Sequence, residues 1–238
     1  MVVRYGIGAR MTDQSAISAQ AIVVPVFPLP NVVFFPKMQL PLHIFEQRYR
    51  QMVHDALEKE RLIAMALLRG DWEKNYYDNP DIYPVGCLGN IAGVTPLPDG
   101  RFNIVLHGVR EYEIQEHILE PTPYRRARVV LREEMAALEP SFFESLKKEV
   151  VELAREIVGD RAPDLIKALD DRSLDGETWL NLCCAALDVS TIERQSLLEA
   201  TSLRDRAARL LQLLRFQAAE NKTLADRFRR GPDSKLPH

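Results

Sequence analysis

A chain of 238 residues with 46% hydrophobic and 27% charged side chains has the composition of a globular protein, not of a disordered or fibrous one. At this length about 70% of the unfolded surface can be buried, in one large domain or two small ones. The formal net charge of -3 and a sequence pI of about 6.0 give no overall positive field to attract a polyanion, so nucleic acid would need a local basic patch.

The first twenty residues contain no apolar stretch of signal-peptide length and are polar from Thr12 to Gln20, so residues 1–20 are expected to form a flexible tail. From Ala21 the run AIVVPVF suits a buried strand. Pro25, Pro28, Pro30, Pro36 and Pro41 then exclude a helix, because each fixes its own φ and biases the residue before it toward extended geometry. With Phe27, Leu29, Val32, Val33, Phe34 and Phe35 among them, this segment is expected to be a stiff, buried crossing that packs but cannot join a sheet continuously. Phe45, Tyr49, Met52, Val53, Ala56 and Leu57 recur at helical spacing opposite Glu46, Arg48, Arg50, Asp55 and Glu58, which predicts one amphipathic helix. RLIAMALL, residues 61–68, reads as a strand apolar on both faces and therefore covered on both. A polar and aromatic loop carries Trp72, Tyr76, Tyr77 and Tyr83. Residues 85–118 are rich in strand formers and broken by the turn signature Pro98-Asp99-Gly100 and again by Gly108, which predicts a β-meander. In residues 124–131, Arg125, Arg126 and Arg128 are interleaved with Ala127 and Val129 in a further strand. Residues 21–133 are thus expected to fold as a compact, mostly antiparallel β-barrel with one inserted helix.

The pattern changes after Glu133. Phe143, Leu146, Val150, Leu153, Ala154 and Ile157 keep a 3.6-residue period in a helix that should end near Gly159. Shorter helical patterns occupy residues 163–169 and 175–187. Ser190 and Glu193 form the S-x-x-E capping arrangement of another helix, and Ser202 opens the last, with Leu203, Ala207, Leu210, Leu211 and Leu214 on one stripe. Residues 134–230 predict an all-α bundle, followed by a second flexible tail over 231–238, so the class is α+β. No window reaches the roughly 18 apolar residues a membrane span requires. Cys87, Cys183 and Cys184 are odd in number and two of them adjacent, which favours reduced thiols and a cytoplasmic protein without a membrane partner.

The segment FPLPNVVFFPKMQLPLHIFEQRYRQMVHDAL, residues 27–57, resembles the opening of the substrate-binding domain of Lon proteases. YPVGCLGNI from Tyr83, LPDGRFNIVLHGVREYEI from Leu97 and PYRRARVVLREE from Pro123 are similar, in order, to that family's central strands and turns. CCAALDVSTIERQSLLEATSLRDRAARLLQLL from Cys183 is similar to its closing helices. The resemblance spans residues 21–216. It implies a PUA-like β-barrel followed by a helical bundle, used in Lon to engage unfolded or tagged polypeptides; the same barrel module serves protein–protein contact in cereblon. No GxxxxGK[ST] phosphate loop occurs, and the chain ends before anything resembling the Ser-Lys protease domain, so neither ATPase nor peptidase activity is expected to carry over.

Other constellations have plainer readings. Glu46, Arg48 and Arg50 beside His43 fall at a strand-to-helix junction, where a carboxylate favours the helix N-terminus. Cys183 and Cys184 have no histidine near in sequence to complete a zinc site. Gly6-Ile7-Gly8 lacks the third glycine of the dinucleotide fingerprint, and no GxSxG or HExxH is present. No cofactor and no metal are expected. Trp72, Tyr76, Tyr77 and Tyr83 are the candidate polypeptide-binding residues: the loop either exposes an apolar patch for unfolded segments or folds back over the barrel. From residue 201 onward nine Lys or Arg face four acids, an excess that reads as a solvated helix face. The sequence therefore predicts a non-enzymatic module that binds unfolded or exposed hydrophobic polypeptide segments through the barrel and the cleft it forms with the bundle, with a separate protease or chaperone as a further partner. The alternative is an RNA-binding PUA-like protein using residues 124–131 and the basic C-terminus. Against it stand the acidic overall balance and the expected absence of an interleaved aromatic and basic surface that would stack bases.

Overall fold

The computed structural model describes residues 6–7, 21–76, 79–119, 121–159 and 162–230, with backbone alone for 6–7 and 224–230. The strands are β1 (Gly6–Ile7), β2 (Ile22–Leu29), β3 (Met38–Ile44), β4 (Leu62–Leu67), β5 (Val85–Pro96), β6 (Phe102–Ile118) and β7 (Arg125–Leu131). The helices are α1 (Gln47–Leu57), α2 (Pro140–Val158), α3 (Pro163–Leu169), α4 (Gly176–Ala186), α5 (Thr191–Leu198) and α6 (Leu203–Arg230). The flexible tails expected over 1–20 and 231–238 lie outside the described residues, apart from β1, which pairs with β3.

One mixed sheet runs in the order β1-β3-β6-β5-β4-β2-β7, and β7 returns to pair with β6. The 17-residue β6 is its spine: Phe102 to His107 pair with β3, Tyr112 to Ile118 with β7, and β5 follows its other edge. The α+β architecture is as the sequence predicts, but the sheet is branched and not a simple closed barrel. Every pairing is antiparallel except β2 with β4.

The proline-rich segment joins the sheet at its two ends, where Pro25, Pro28 and Pro41 lie within strands, and leaves it over residues 30–37, so it is not continuous with the sheet. The neighbour of β2 changes at Val26: Ile22 to Val26 pair with β7, and Val26 to Leu29 pair with β4. Pro25 and Pro28 each sit where the strand has one partner, so a missing N–H need cost no ladder bond. Val32 to Pro36 form the buried crossing. Contrary to the sequence expectation, Gly108 is no turn. It lies inside β6 because the crossing passes over it: a Cβ there would stand 2.2 Å from the Phe35 carbonyl oxygen. Its own carbonyl accepts from the Lys37 amide at 2.8 Å. The true turn is Pro98-Asp99-Gly100, with Gly100 at φ +77°.

The two faces of β4 explain its unbroken apolar run. Ile63, Met65 and Leu67 join the main core, while Ala64 and Ala66 pack with Val24, Val26, Leu88, Tyr112 and Val129 on the opposite face. The helices follow their sequence signals closely: Asp175 caps α4, Ser190 and Glu193 form a complete capping box on α5, and Gly159 ends α2 at φ +55°. Trp179, Leu197 and Leu203 of the bundle share one core with Phe34, Phe35 and Met38 of the sheet half. Polar bonds cross the same junction: Asn181 Nδ2 donates to the Pro36 carbonyl (3.1 Å), and Gln195 Nε2 to that of Val85 (2.9 Å). The expected cleft between barrel and bundle is therefore filled with side chains. Cys87, Cys183 and Cys184 are free thiols buried in this core. Among the described residues no helix is long and apolar enough to cross a membrane.

Candidate functional site

A cleft of about 620 Å³ opens instead within the sheet half, and no residue of the bundle lines it. Four segments meet there, beside Pro28 of β2. The first turn of α1 supplies Arg48 and Tyr49; the loop after β4 supplies Tyr76 and residues 79–82; the end of β6 supplies His117, Ile118 and Leu119; and the start of β7 supplies Tyr124, Arg125 and Arg126. The loop is held in place where it returns along β4: Leu68 bridges Ile82, the Arg69 amide donates to the Asp81 carbonyl (2.8 Å), and the Tyr83 amide donates to that of Leu67 (2.9 Å).

One wall is a stacked aromatic and cationic cluster. The Arg48 guanidinium lies 4.6 Å from the Tyr49 ring centroid and 5.1 Å from that of Tyr76. Glu46 stands at the N-cap of α1 yet makes no capping bond; its carboxylate accepts from Arg48 Nε and from the Tyr76 hydroxyl, both at 3.0 Å. Burial, with that carboxylate, pushes the Tyr76 hydroxyl above its ordinary pKa. His43 lies outside this group, bonded through Nδ1 to Asn103 (2.7 Å) and close through Nε2 to Arg101 (3.2 Å). The Glu46 cluster is thus a structural clasp between α1 and the aromatic loop.

The opposite wall is built by β7. Tyr124 donates to Asp55 at 2.6 Å, and Arg125 Nη2 donates to the Pro80 carbonyl at 2.5 Å. Burial pulls the Arg125 guanidinium below its ordinary pKa, with Arg48 acting in the same direction and Tyr49 and Asp81 opposing. Leu119, 94% exposed, gives the rim one apolar edge beside the polar Asn79, His117 and Thr122. Such a cleft can bind a chain segment by apolar contact and hydrogen bonding.

The candidate binding residues divide. Tyr76 lines the cleft, and Trp72 packs edge-on against it at 6.0 Å, both half-buried, so the loop partly folds back and partly faces the opening. Tyr83 does not line the cleft; it packs against the main core beneath Arg69. Tyr77 lies outside the described residues. The sequence places Arg48 at a structural junction, offers Arg125 and Arg126 phosphate contacts only under the alternative RNA-binding reading, and does not single out Leu119. The structure brings these arginines beside Tyr49, Tyr76 and Tyr124, so an aromatic and basic surface exists although no stretch of sequence interleaves it. Among the C-terminal basic residues whose side chains are described, Arg206 is buried, while Arg209, Arg215 and Lys222 pair with Asp205, Glu149 and Glu156.

Residues 23–215 match the model of the ATP-dependent protease La (LON) substrate-binding domain. The chain is 28% identical over 195 residues to a Lon protease of Anaeromyxobacter dehalogenans, covering 81% of this chain and 23% of that protein. It is 29% identical over 195 residues to Lon protease 2 of Myxococcus xanthus, with the same coverage. It thus spans about a quarter of the length of the curated relatives it matches. Among solved structures it is similar to the N-terminal domain of the Mycobacterium avium complex Lon protease, at TM-score 0.62 and 18% identity over 84% of this chain and 99% of that one. It is also similar to a Lon N-terminal domain protein from Xanthomonas campestris, at TM-score 0.57 and 21% identity over 81% and 97%. These two likenesses carry the fold, and the matched model carries the family: the chain belongs to the ATP-dependent protease La (LON) substrate-binding domain family.

Proposed function

We propose that this chain is a non-catalytic substrate-recognition module that takes unfolded or exposed hydrophobic polypeptide segments into the cleft beside Tyr76. The observation that carries the reading is the cleft itself: about 620 Å³ of space bordered by half-buried aromatic rings on one side and the exposed Leu119 on the other. Burying such apolar surface stabilises a complex by roughly 25 cal/mol per Å² without demanding a particular sequence. Family membership supports the same reading, since the matched model is a substrate-binding domain. The proposed setting is the cytoplasm, which buried free thiols suit. A separate protease or chaperone is the proposed recipient of the bound segment.

The test is fluorescence anisotropy of a labelled, permanently unfolded polypeptide titrated with the protein at physiological salt, with an unlabelled RNA oligomer as competitor. Saturable binding that RNA does not displace, and that weakens on Tyr76→Ala, is expected. Absence of polypeptide binding overturns the proposal. RNA binding is the second reading, because Arg48, Arg125 and Arg126 meet Tyr49, Tyr76 and Tyr124 at the cleft. Its mark is a steep loss of affinity between low and physiological salt.

A further inference from the structure

The arginines in and near the cleft are not equivalent. Arg48 is paired with Glu46 at 2.9 Å, and Arg128, three positions beyond Arg125 on β7, with Glu116 at 3.4 Å. Arg125 is half-buried, and its hydrogen bond goes to a neutral carbonyl, that of Pro80. Among the described residues no carboxylate lies within ion-pair distance of it. A guanidinium carries five N–H donors, and a single carbonyl leaves most of them available. Partial burial has removed hydration while leaving only the more distant Asp81 carboxylate as counter-charge, so an incoming anion gains more here than at a solvated arginine. Carboxylates fit a guanidinium in a two-pronged arrangement, which adds orientation to attraction.

The surroundings discriminate among anions. Leu119 is almost fully exposed and, with Ile118, places apolar surface on the same rim. Asp81, exposed on the adjoining loop, opposes a second negative charge. A nucleic acid carries a charge on every nucleotide and would bring phosphates against Asp81. A polypeptide bearing one carboxylate beside a bulky apolar side chain matches one cation and one apolar rim.

We infer that the cleft recognises a polypeptide carboxylate seated on Arg125, with the adjacent bulky apolar side chain packed against Leu119 and Ile118; the inference rests on the polypeptide-binding reading above. The carboxylate can come from a chain terminus or from an acidic side chain, and the test separates the two.

The probes are short fluorescein-labelled peptides of glycine, serine and alanine ending in two leucines, with the terminus as free acid or as amide. A second pair carries an internal Glu or Gln before the leucines, both amidated. Binding to the full chain is read by anisotropy at physiological salt. The expected result is a preference on the order of tenfold for the free acid over the amide, or for Glu over Gln, and whichever pair shows it names the source. In Arg125→Gln that preference disappears, while in Arg128→Gln, outside the cleft, it remains. Because each ratio is taken within one variant, partial loss of folded protein does not alter it. Equal binding of charged and neutral peptides overturns the inference and leaves polypeptide binding standing. A preference that survives Arg125→Gln overturns it as well. If none of the peptides binds but a longer unfolded polypeptide does, the carboxylate site fails alone; if neither binds, the polypeptide reading fails with it. Displacement of the acidic peptide by single-stranded RNA at the same salt gives the cleft to phosphate and overturns the inference.

Discussion

Arg206 of α6 donates to the carboxylate of Glu111 on β6 in a contact closed to water from both sides. The same guanidinium donates to Asn181 Oδ1 (2.5 Å) and through Nε to the Leu197 carbonyl (3.0 Å). Asn181 in turn reaches the Pro36 carbonyl in the crossing. One arginine thus fastens the last helix to α4, to the end of α5 and to the spine of the sheet. A buried pair contributes little against a well-packed apolar alternative, but breaking it strands a charge, at about 3–5 kcal/mol.

Glu111→Gln is therefore expected to lower stability by about 3–5 kcal/mol, read as a shift in the urea midpoint. We propose residues 21–133 and 134–230 as subdomains of one cooperative unit. Unfolding followed by Trp179 fluorescence in a Trp72→Phe background should then coincide with that followed by far-UV circular dichroism. A loss below about 1 kcal/mol would show the pair to be hydrated, and separated transitions would show the halves to fold independently.

Gly108→Ala is expected to destabilise the protein by about 1–3 kcal/mol or more, because the added methyl group meets the Phe35 backbone, which cannot rotate away as a side chain could. Gly93→Ala on β5 is its control, since there the nearest atoms are Val105 side-chain carbons at 3.7 Å and beyond. Equal thermal stability of the two variants would mean that the crossing shifts freely over β6.

What the sequence revealed and what it hid follow a physical line. Signals that act within one turn of chain were legible: the Ser190 and Glu193 capping box, Pro163 at the start of α3, and the turn at Gly100. Gly108 misled because a glycine needed for close approach looks, in sequence, like a glycine needed for a turn. Arg206 was counted with a solvated face, although it lies three residues after Leu203 and four before Leu210, squarely on the apolar stripe; that position was the available signal. The cleft was hidden most completely. Arg48, Tyr76 and Arg125 come from a helix, a loop and a strand far apart in sequence, and only the tertiary fold places them together.

Within the aromatic loop, Tyr76 and Tyr83 should behave oppositely. Tyr76→Ala removes a cleft wall and the bond to Glu46, and is expected to weaken binding of the unfolded polypeptide several-fold while costing at most about 1 kcal/mol of stability. Tyr83→Ala leaves the cleft lining intact and removes a ring packed on the main core, so its effect should appear in the urea midpoint and not in the anisotropy titration. If Tyr83→Ala were to abolish binding by a fully folded protein, the binding surface would lie elsewhere on the loop.

The Asp175 carboxylate joins the two halves at the surface and gives a stability term with a defined pH sign. It accepts from the Glu177 and Thr178 amides at 3.1 Å each and from the Thr178 hydroxyl at 2.6 Å, capping α4, and pairs with Lys37 at 3.1 Å. Burial opposes its ionisation, but the Thr178 bonds and the Lys37 ammonium together hold its pKa below the usual carboxylate value. A depressed folded-state pKa means the unfolded chain takes up its proton first. The charge therefore stabilises the fold above about pH 4, and that stabilisation is lost as pH falls through the folded-state value. Asp175→Asn keeps an oxygen for the cap and removes the charge. With the side chain largely in water, the ion-pair contribution is screened, so the variant should lose less than about 1 kcal/mol at pH 7. Once the pH has fallen below the depressed folded-state pKa, its urea midpoint should converge on that of the unsubstituted protein, because both side chains are then neutral. A gap that widens on acidification would mean that geometry at the cap, and not charge, sets the contribution of Asp175.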